Sequence, residues 1–309
     1  MAMPPEVKEL AAKVRNWGRW GDDDEIGTLN LITDDVVKAA AKEIATGKRI
    51  ALGLPLDENG PQSGAIPGRD NPVREMIMVD LALTGDASNF TTSDDKVAMG
   101  IQAGTHWDAL AHVSYEGNLY NGVKSSDVIT AAGAARMGID KIKTIVSRGI
   151  LLDVAKAKGV ERIEGNYPLT AADLDAACEL GKVKVQSGDI VLIRTGQMQL
   201  FFAGDREAYG TPCSGPSLQT VEWFHSHDVA AVATDNIVFE CFPSEREDAM
   251  LPVHLLHLVD MGMTQGQNWN FEELAQDCAT DGRYSFFLDA SPMPFTHAVG
   301  SPVNPIVIK

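Results

Sequence analysis

Three short apolar runs constrain the fold of this 309-residue chain more than anything else in it: Gly149-Ile-Leu-Leu-Asp-Val154, Asp189-Ile-Val-Leu-Ile-Arg194 and Val229–Thr234. The first two follow turn signals, and all three suit central strands buried on both faces. Between the first two, Thr170–Gly181 opens on a capping threonine and repeats Ala and Leu at helical spacing, which predicts a helix. Ser217–Ser226 supplies another helix ahead of the third run. Helices alternating with buried strands define an α/β fold.

The remaining stretches fit around that pattern. Pro4–Arg15 reads as an amphipathic helix, and Thr33 or Asp34 caps a second one running through Ala45, which Gly47 stops. Asp22, Asp23, Asp24 and Glu25 form an acidic cluster, open to cation binding but more typical of a solvated loop. Arg49–Leu54 reads as a strand and Asp57–Asn71, rich in Gly and Pro, as a loop. Met76–Leu83 and Lys96–Gly100 are strand-like, and the Ala-rich Thr130–Met137 reads as helix. No repeat or linker interrupts the chain, so one domain is expected over 1–309, with 1–48 as an N-terminal helical extension.

Composition narrows the classes of function. Hydrophobic content of 44% with 22% charged residues is ordinary for a soluble globular protein. A net charge of -17 argues against nucleic acid or an anionic membrane surface as partner. No apolar run is long enough to span a bilayer, and Met1–Lys13 lacks a signal-peptide core. Cys178, Cys213, Cys241 and Cys278 are far apart without a Cys-x-x-Cys pair, so free thiols in a reducing cytoplasm are expected. Neither a Gly-x-Ser-x-Gly elbow nor a Gly-rich nucleotide loop is present.

The chemistry concentrates in Gly100-Ile-Gln-Ala-Gly-Thr-His-Trp-Asp-Ala-Leu-Ala-His112. His106 and Asp108 stand two apart, which in an extended segment puts an imidazole and a carboxylate on one face. Such a pair can begin a divalent metal site, and by spacing alone it can equally be an ordinary hydrogen bond. Trp107 lies between them, able to stack on an aromatic substrate or simply to pack beside the site. His225 and His227 flank a helix end and read as caps; His297 is open to a pocket-lining or a packing role.

Gly104-Thr105-His106-x-Asp108-x-x-x-His112 resembles the signature of the metal-dependent cyclase family, which includes kynurenine formamidase and isatin hydrolase. Arg19–Leu31 is similar to the opening of longer family members, and Gly300–Pro305 to the family's closing segment. Two departures stand out: Gln102 replaces the first His of the family pattern, and Leu110 replaces its Pro. In Leu251–Asn270, similar to the family's second motif, Gln267 falls at a position where many members carry Glu, and His254 matches the family His. Spacing there is one residue longer than the pattern, so His257 is a rival to His254.

The resemblance implies a swivelling β/β/α domain with a central mixed sheet or barrel-like core. It implies His106, Asp108 and Gln267 as metal ligands, with His112 and His254 as catalytic imidazoles, His112 first as the base. Because Gln102 and Gln267 both remove donors that a second ion would use, one divalent metal is expected. The oxygen-rich donor set favours Mn²⁺, with Zn²⁺ next. The expected activity is opening of a cyclic amide or formamide C–N bond in a small molecule. A lactone or ester hydrolase and a silent binding homologue are the alternatives, and a homo-oligomer, dimer or tetramer, is expected by analogy.

Overall fold

A computed structural model describes residues 3–309. The three apolar runs form the strands Val146–Asp153, Ile190–Arg194 and Ala231–Thr234, paired side by side and parallel. Gln265–Gln267 extends this parallel set and turns it towards the site. Beyond it, His106–Asp108 pairs antiparallel, followed by Gly300–Pro302. On the other flank Ser285–Asp289, Ile306–Ile308 and Arg49–Ala51 add three antiparallel strands. Among the described residues these nine strands make one mixed sheet.

That sheet has to curl. Gly300–Pro302 is ninth in the strand order and Ile306–Ile308 second, seven positions apart. Flat, seven spacings would measure roughly 34 Å. The four residue steps from Pro302 to Ile306 reach about 14 Å at most. The two flanks are therefore drawn together, and the contacts agree: Leu54 N donates to Thr105 Oγ1 and Val303 N to the Thr105 carbonyl. The barrel-like mixed core implied by the family resemblance is the observed architecture.

Side chains alternate between two cores, as the period of a strand requires. Ile150, Leu152, Val191, Ile193 and Val232 pack on one side. Leu151, Ile190, Leu192, Ala231 and Ala233 pack on the other. Burial of both faces is why these strands read as unbroken apolar runs. On the first side lie helix Ala171–Gly181, closed by a Thr170/Asp173 capping box, and helix Leu218–Ser226, capped by Ser217. Helix Pro5–Val14 joins the same core through Val7, Ala11 and Val14.

Several expectations need adjusting. Thr130–Met137 is not helical: it holds the two-residue strands Ile129–Thr130 and Gly133–Ala134. Gly133 sits at φ +102° and Met137 at φ +58°, and Ala134 N donates to the His297 carbonyl, all incompatible with helix despite the alanines. The second helix covers Asp34–Ala40, continues as a 3₁₀ turn, and ends at Glu43 rather than Ala45. In the acidic cluster, Asp24 caps the next turn through Ile26 and Gly27 N–H, the solvated-loop reading. No helix of the described residues is long and apolar enough to cross a membrane. Val73–Ala82 and Thr91–Ala98 form a separate two-stranded ribbon outside the sheet.

Candidate metal centre

Register builds the site. Gln267 lies directly across from His106, Gly266 from Trp107 and Gln265 from Asp108. His106, Asp108, Gln265 and Gln267 therefore share one face, while Trp107 points to the other. Trp107 is fully buried, stands edge-on to Trp269 and donates its indole N–H to the Ala290 carbonyl. It does not line the cavity. The packing role holds, and alternation alone dictates it once His106 and Asp108 face the site.

His106 Nδ1 sits 2.8 Å from the Gly104 carbonyl, which also accepts from Asn268 Nδ2. A carbonyl only accepts, so Nδ1 carries the proton and Nε2 presents its lone pair. That Nε2 is buried without a partner, and so is Asp108 Oδ1, 3.6 Å away. Two acceptors face each other in a buried place with no proton between them. A cation resolves that conflict, and 3.6 Å suits two donors about 2.1 Å from one ion. Asp108 Oδ2 is held by Gln267 Nε2 at 2.7 Å, the diagonal cross-strand contact. The carbonyl oxygen of the same amide is the atom a ligand role would use.

His112 turns back onto the carboxylate, its Nε2 3.6 Å from Asp108 Oδ1. Burial pushes His106 and His112 below the ordinary imidazole value, and Arg69 works in the same direction on both. Asp108 is held below the usual carboxylate range; burial opposes this, and His112, His106, His254 and the Gln267 hydrogen bond outweigh it. Neutral imidazoles beside one carboxylate are a donor set for a metal. Among the described residues no three His, Cys, Asp or Glu side chains are arranged as a closed metal cluster. The residues nonetheless fit an ion: two orphaned lone-pair atoms, with an amide as neighbour.

His254 and His257 separate cleanly. His254 lines a cavity of about 670 Å³ together with His112 and Gln267. Its Nδ1 lies 2.7 Å from Glu240 Oε1, leaving Nε2 free to act. Glu240 also accepts from the backbone N–H of Val253 and His254, fixing the start of helix Pro252–Leu255. His257 lies in the following π-helix Leu256–Met261, edge-on to Phe224 and Phe239. Full burial, with His254 nearby, pushes its pKa down to about 3. A π-turn holds one more residue than an α-turn, which suits the one-residue excess in this segment.

The other candidates lie elsewhere. His227 accepts the helix-end role, with Nδ1 2.8 Å from the Trp223 carbonyl. His297 borders a shallow depression with Gln102 and Gly133 that shares Ile66 and Arg69 with the His112/His254 cavity, and it does not line that cavity itself. Burial pushes Cys213, Cys241 and Cys278 up to about 12 and Cys178 up to about 11, so none is poised as a thiolate. Sequence reading missed Glu240, Arg69 and the apolar wall of Ile237, Val238 and Phe242. No local motif marks them; they are brought to the site by the fold.

Comparison with known proteins places this geometry. The cyclase family profile matches residues 35–240. A solved structure described as a novel cyclase is 41% identical, covers 96% of this chain and 99% of its own, and superposes with a TM-score of 0.87. This chain belongs to the cyclase family. An isatin hydrolase bound to the product analogue thioisatinate shares the cyclase fold at 18% identity, covering 87% of this chain and 94% of that one, TM-score 0.60. A predicted metal-dependent hydrolase from Bacillus stearothermophilus does so at 16% identity, covering 85% and 98%, TM-score 0.52. None of the curated proteins matches.

Proposed function

We propose that this cyclase-family protein is a metal-dependent hydrolase that opens a cyclic amide or formamide C–N bond in a small molecule. One observation carries the proposal: the orphaned pair His106 Nε2 and Asp108 Oδ1, set beside a largely apolar cavity that His254 and Gln267 also line. The family relatives described as isatin hydrolase and metal-dependent hydrolase support it. His106, Asp108 and Gln267 would hold one divalent ion, Mn²⁺ by preference and Zn²⁺ next. A bound ion of this kind polarises a carbonyl and acidifies water.

Every other step belongs to the chain's own groups. His254 is the base: Glu240 accepts its Nδ1–H and so fixes the tautomer that leaves the Nε2 lone pair free. The proton taken from water at Nε2 is returned to the leaving nitrogen as the C–N bond breaks, giving an amine and a carboxylic acid that then ionises to solvent. His112, beside Asp108 Oδ1, is placed to orient that carboxylate and, as the second catalytic imidazole, to relay a proton. The apolar wall of Ile237, Val238 and Phe242 shields the reacting carbonyl from bulk water. A panel of cyclic amides, formamides, lactones and esters, assayed with and without chelator, tests the reading. Turnover of lactones alone would replace it with the ester reading, and no chelator-sensitive turnover on any would reject it.

Gln267 has its own test. Gln267→Glu sets a second carboxylate against Asp108 Oδ2, where the amide now donates at 2.7 Å. The metal-free variant is expected to melt lower than wild type and to gain more from added Mn²⁺. Its activity optimum is expected at higher pH, because added ligand charge raises the pKa of bound water. Unchanged melting and pH profile would remove Gln267 from the centre.

We also infer that two copies associate through the ribbon Val73–Ala82/Thr91–Ala98. Its apolar residues Val73, Met76, Ile77, Val79, Leu81 and Val97 are all exposed. An isolated two-stranded ribbon is marginal in water. A twofold axis lets one ribbon cover its twin, residue against residue. The free cysteines support a reducing, cytoplasmic setting. Sedimentation should give a dimer or tetramer at micromolar concentration, and Ile77→Lys with Val79→Asp should give monomer. A monomeric wild type would contradict this.

A further inference from the structure

Arg69 is the one cation in the lining of the His112/His254 cavity. It comes from the loop Asp57–Asn71, which is tied down by Gln62 Nε2 donating to the Ala103 carbonyl and by Gln62 N donating to Asn71 Oδ1. Arg69 is half-buried, and its side chain has no hydrogen-bond or ion-pair partner among the described residues. Other arginines withdrawn from solvent are well supplied: half-buried Arg148 pairs with Asp189, and buried Arg194 with Asp153 and Glu272. Glu207 shares the cavity lining but forms no pair with Arg69.

Arg69 lines the same cavity as His112, His254 and Gln267, the residues that border the candidate metal centre. A guanidinium next to a cation-binding centre, without a counter-charge of its own, calls for an anion between the two. Guanidinium binds carboxylate through two parallel N–H···O bonds, which fixes orientation as well as charge. On a chain of net charge -17 a cationic cavity residue without a counter-charge runs against the overall balance. Ile66, Val113, Ile237, Val238 and Phe242 around it would hold an apolar body.

We propose that Arg69 recognises a carboxylate on a small molecule with an apolar body. Resting on the hydrolase reading, the carboxylate is either carried by the substrate beside its scissile carbonyl or made there when water adds and the C–N bond breaks.

Calorimetry with benzoate and its neutral isostere benzamide, on metal-loaded protein, tests the recognition without turnover. Wild type should bind benzoate at least tenfold tighter than benzamide. Arg69→Gln should erase that preference while leaving benzamide affinity and metal content unchanged, and Arg69→Lys should restore part of it. Benzoate bound no tighter than benzamide, or equally tightly by Arg69→Gln, would overturn the proposal. Kinetics then separate the sources. A KM rise in Arg69→Gln confined to carboxylate-bearing substrates assigns the group to the substrate, and weakened product inhibition alone assigns it to the product. A benzoate preference without any hydrolysis would defeat the hydrolase reading and leave Arg69 standing; hydrolysis with no effect of Arg69→Gln on binding would do the reverse.

Discussion

His254→Ala protein should keep its metal and lose turnover by about 10²–10⁴-fold, the range for a missing general base. The expectation comes from the division of the ring: Nδ1 is committed to Glu240, and Nε2 is the atom left for the cavity. Glu240→Gln should give a smaller loss, because it keeps a hydrogen-bonding group at the position but, able to donate as well as accept, no longer dictates the tautomer of the ring. Turnover and bound metal are measured together. If His254→Ala sheds its metal, the ring is a ligand and the base is His112.

Asp108→Ala should lose metal and activity together. Its carboxylate presents one oxygen to the centre and gives the other to Gln267, so no neighbour substitutes for it. Melting with and without Mn²⁺ reads this directly. Metal at a hundred times its dissociation constant stabilises wild type by about 2.7 kcal/mol, and the variant should gain nothing. Affinity should also depend on pH in a defined direction. The neutral imidazole binds metal, and burial depresses the pKa of both His106 and His112. Binding should therefore persist below pH ~6.5, the ordinary histidine value, and fail as pH falls further through the depressed ones.

Much of this was legible in the sequence because it followed a period. Strands buried on both faces produced the runs at 149–154, 189–194 and 229–234, and the helix after Thr170 carried its own capping signal. His106 and Asp108 shared a face because strands alternate. Thr130–Met137 misled because alanine content favours helix, whereas the backbone at Gly133 and Met137 forbids it. His254 and His257 were inseparable by spacing, since the π-helix that parts them has no residue signature. Glu240 and Arg69 were invisible for a different reason. Each owes its place to a contact across the fold, 14 residues from His254 in one case and on a cavity-lining loop in the other.

Stripping the protein of metal, then restoring Mn²⁺ stepwise while following both bound ion and hydrolysis of the best substrate from the panel, tests the central claim most directly. Activity should be absent at the start, rise in proportion to bound metal, and level off at about one ion per chain, the number His106, Asp108 and Gln267 would hold. Full activity in the stripped protein, or a plateau reached only at two ions per chain, would contradict it.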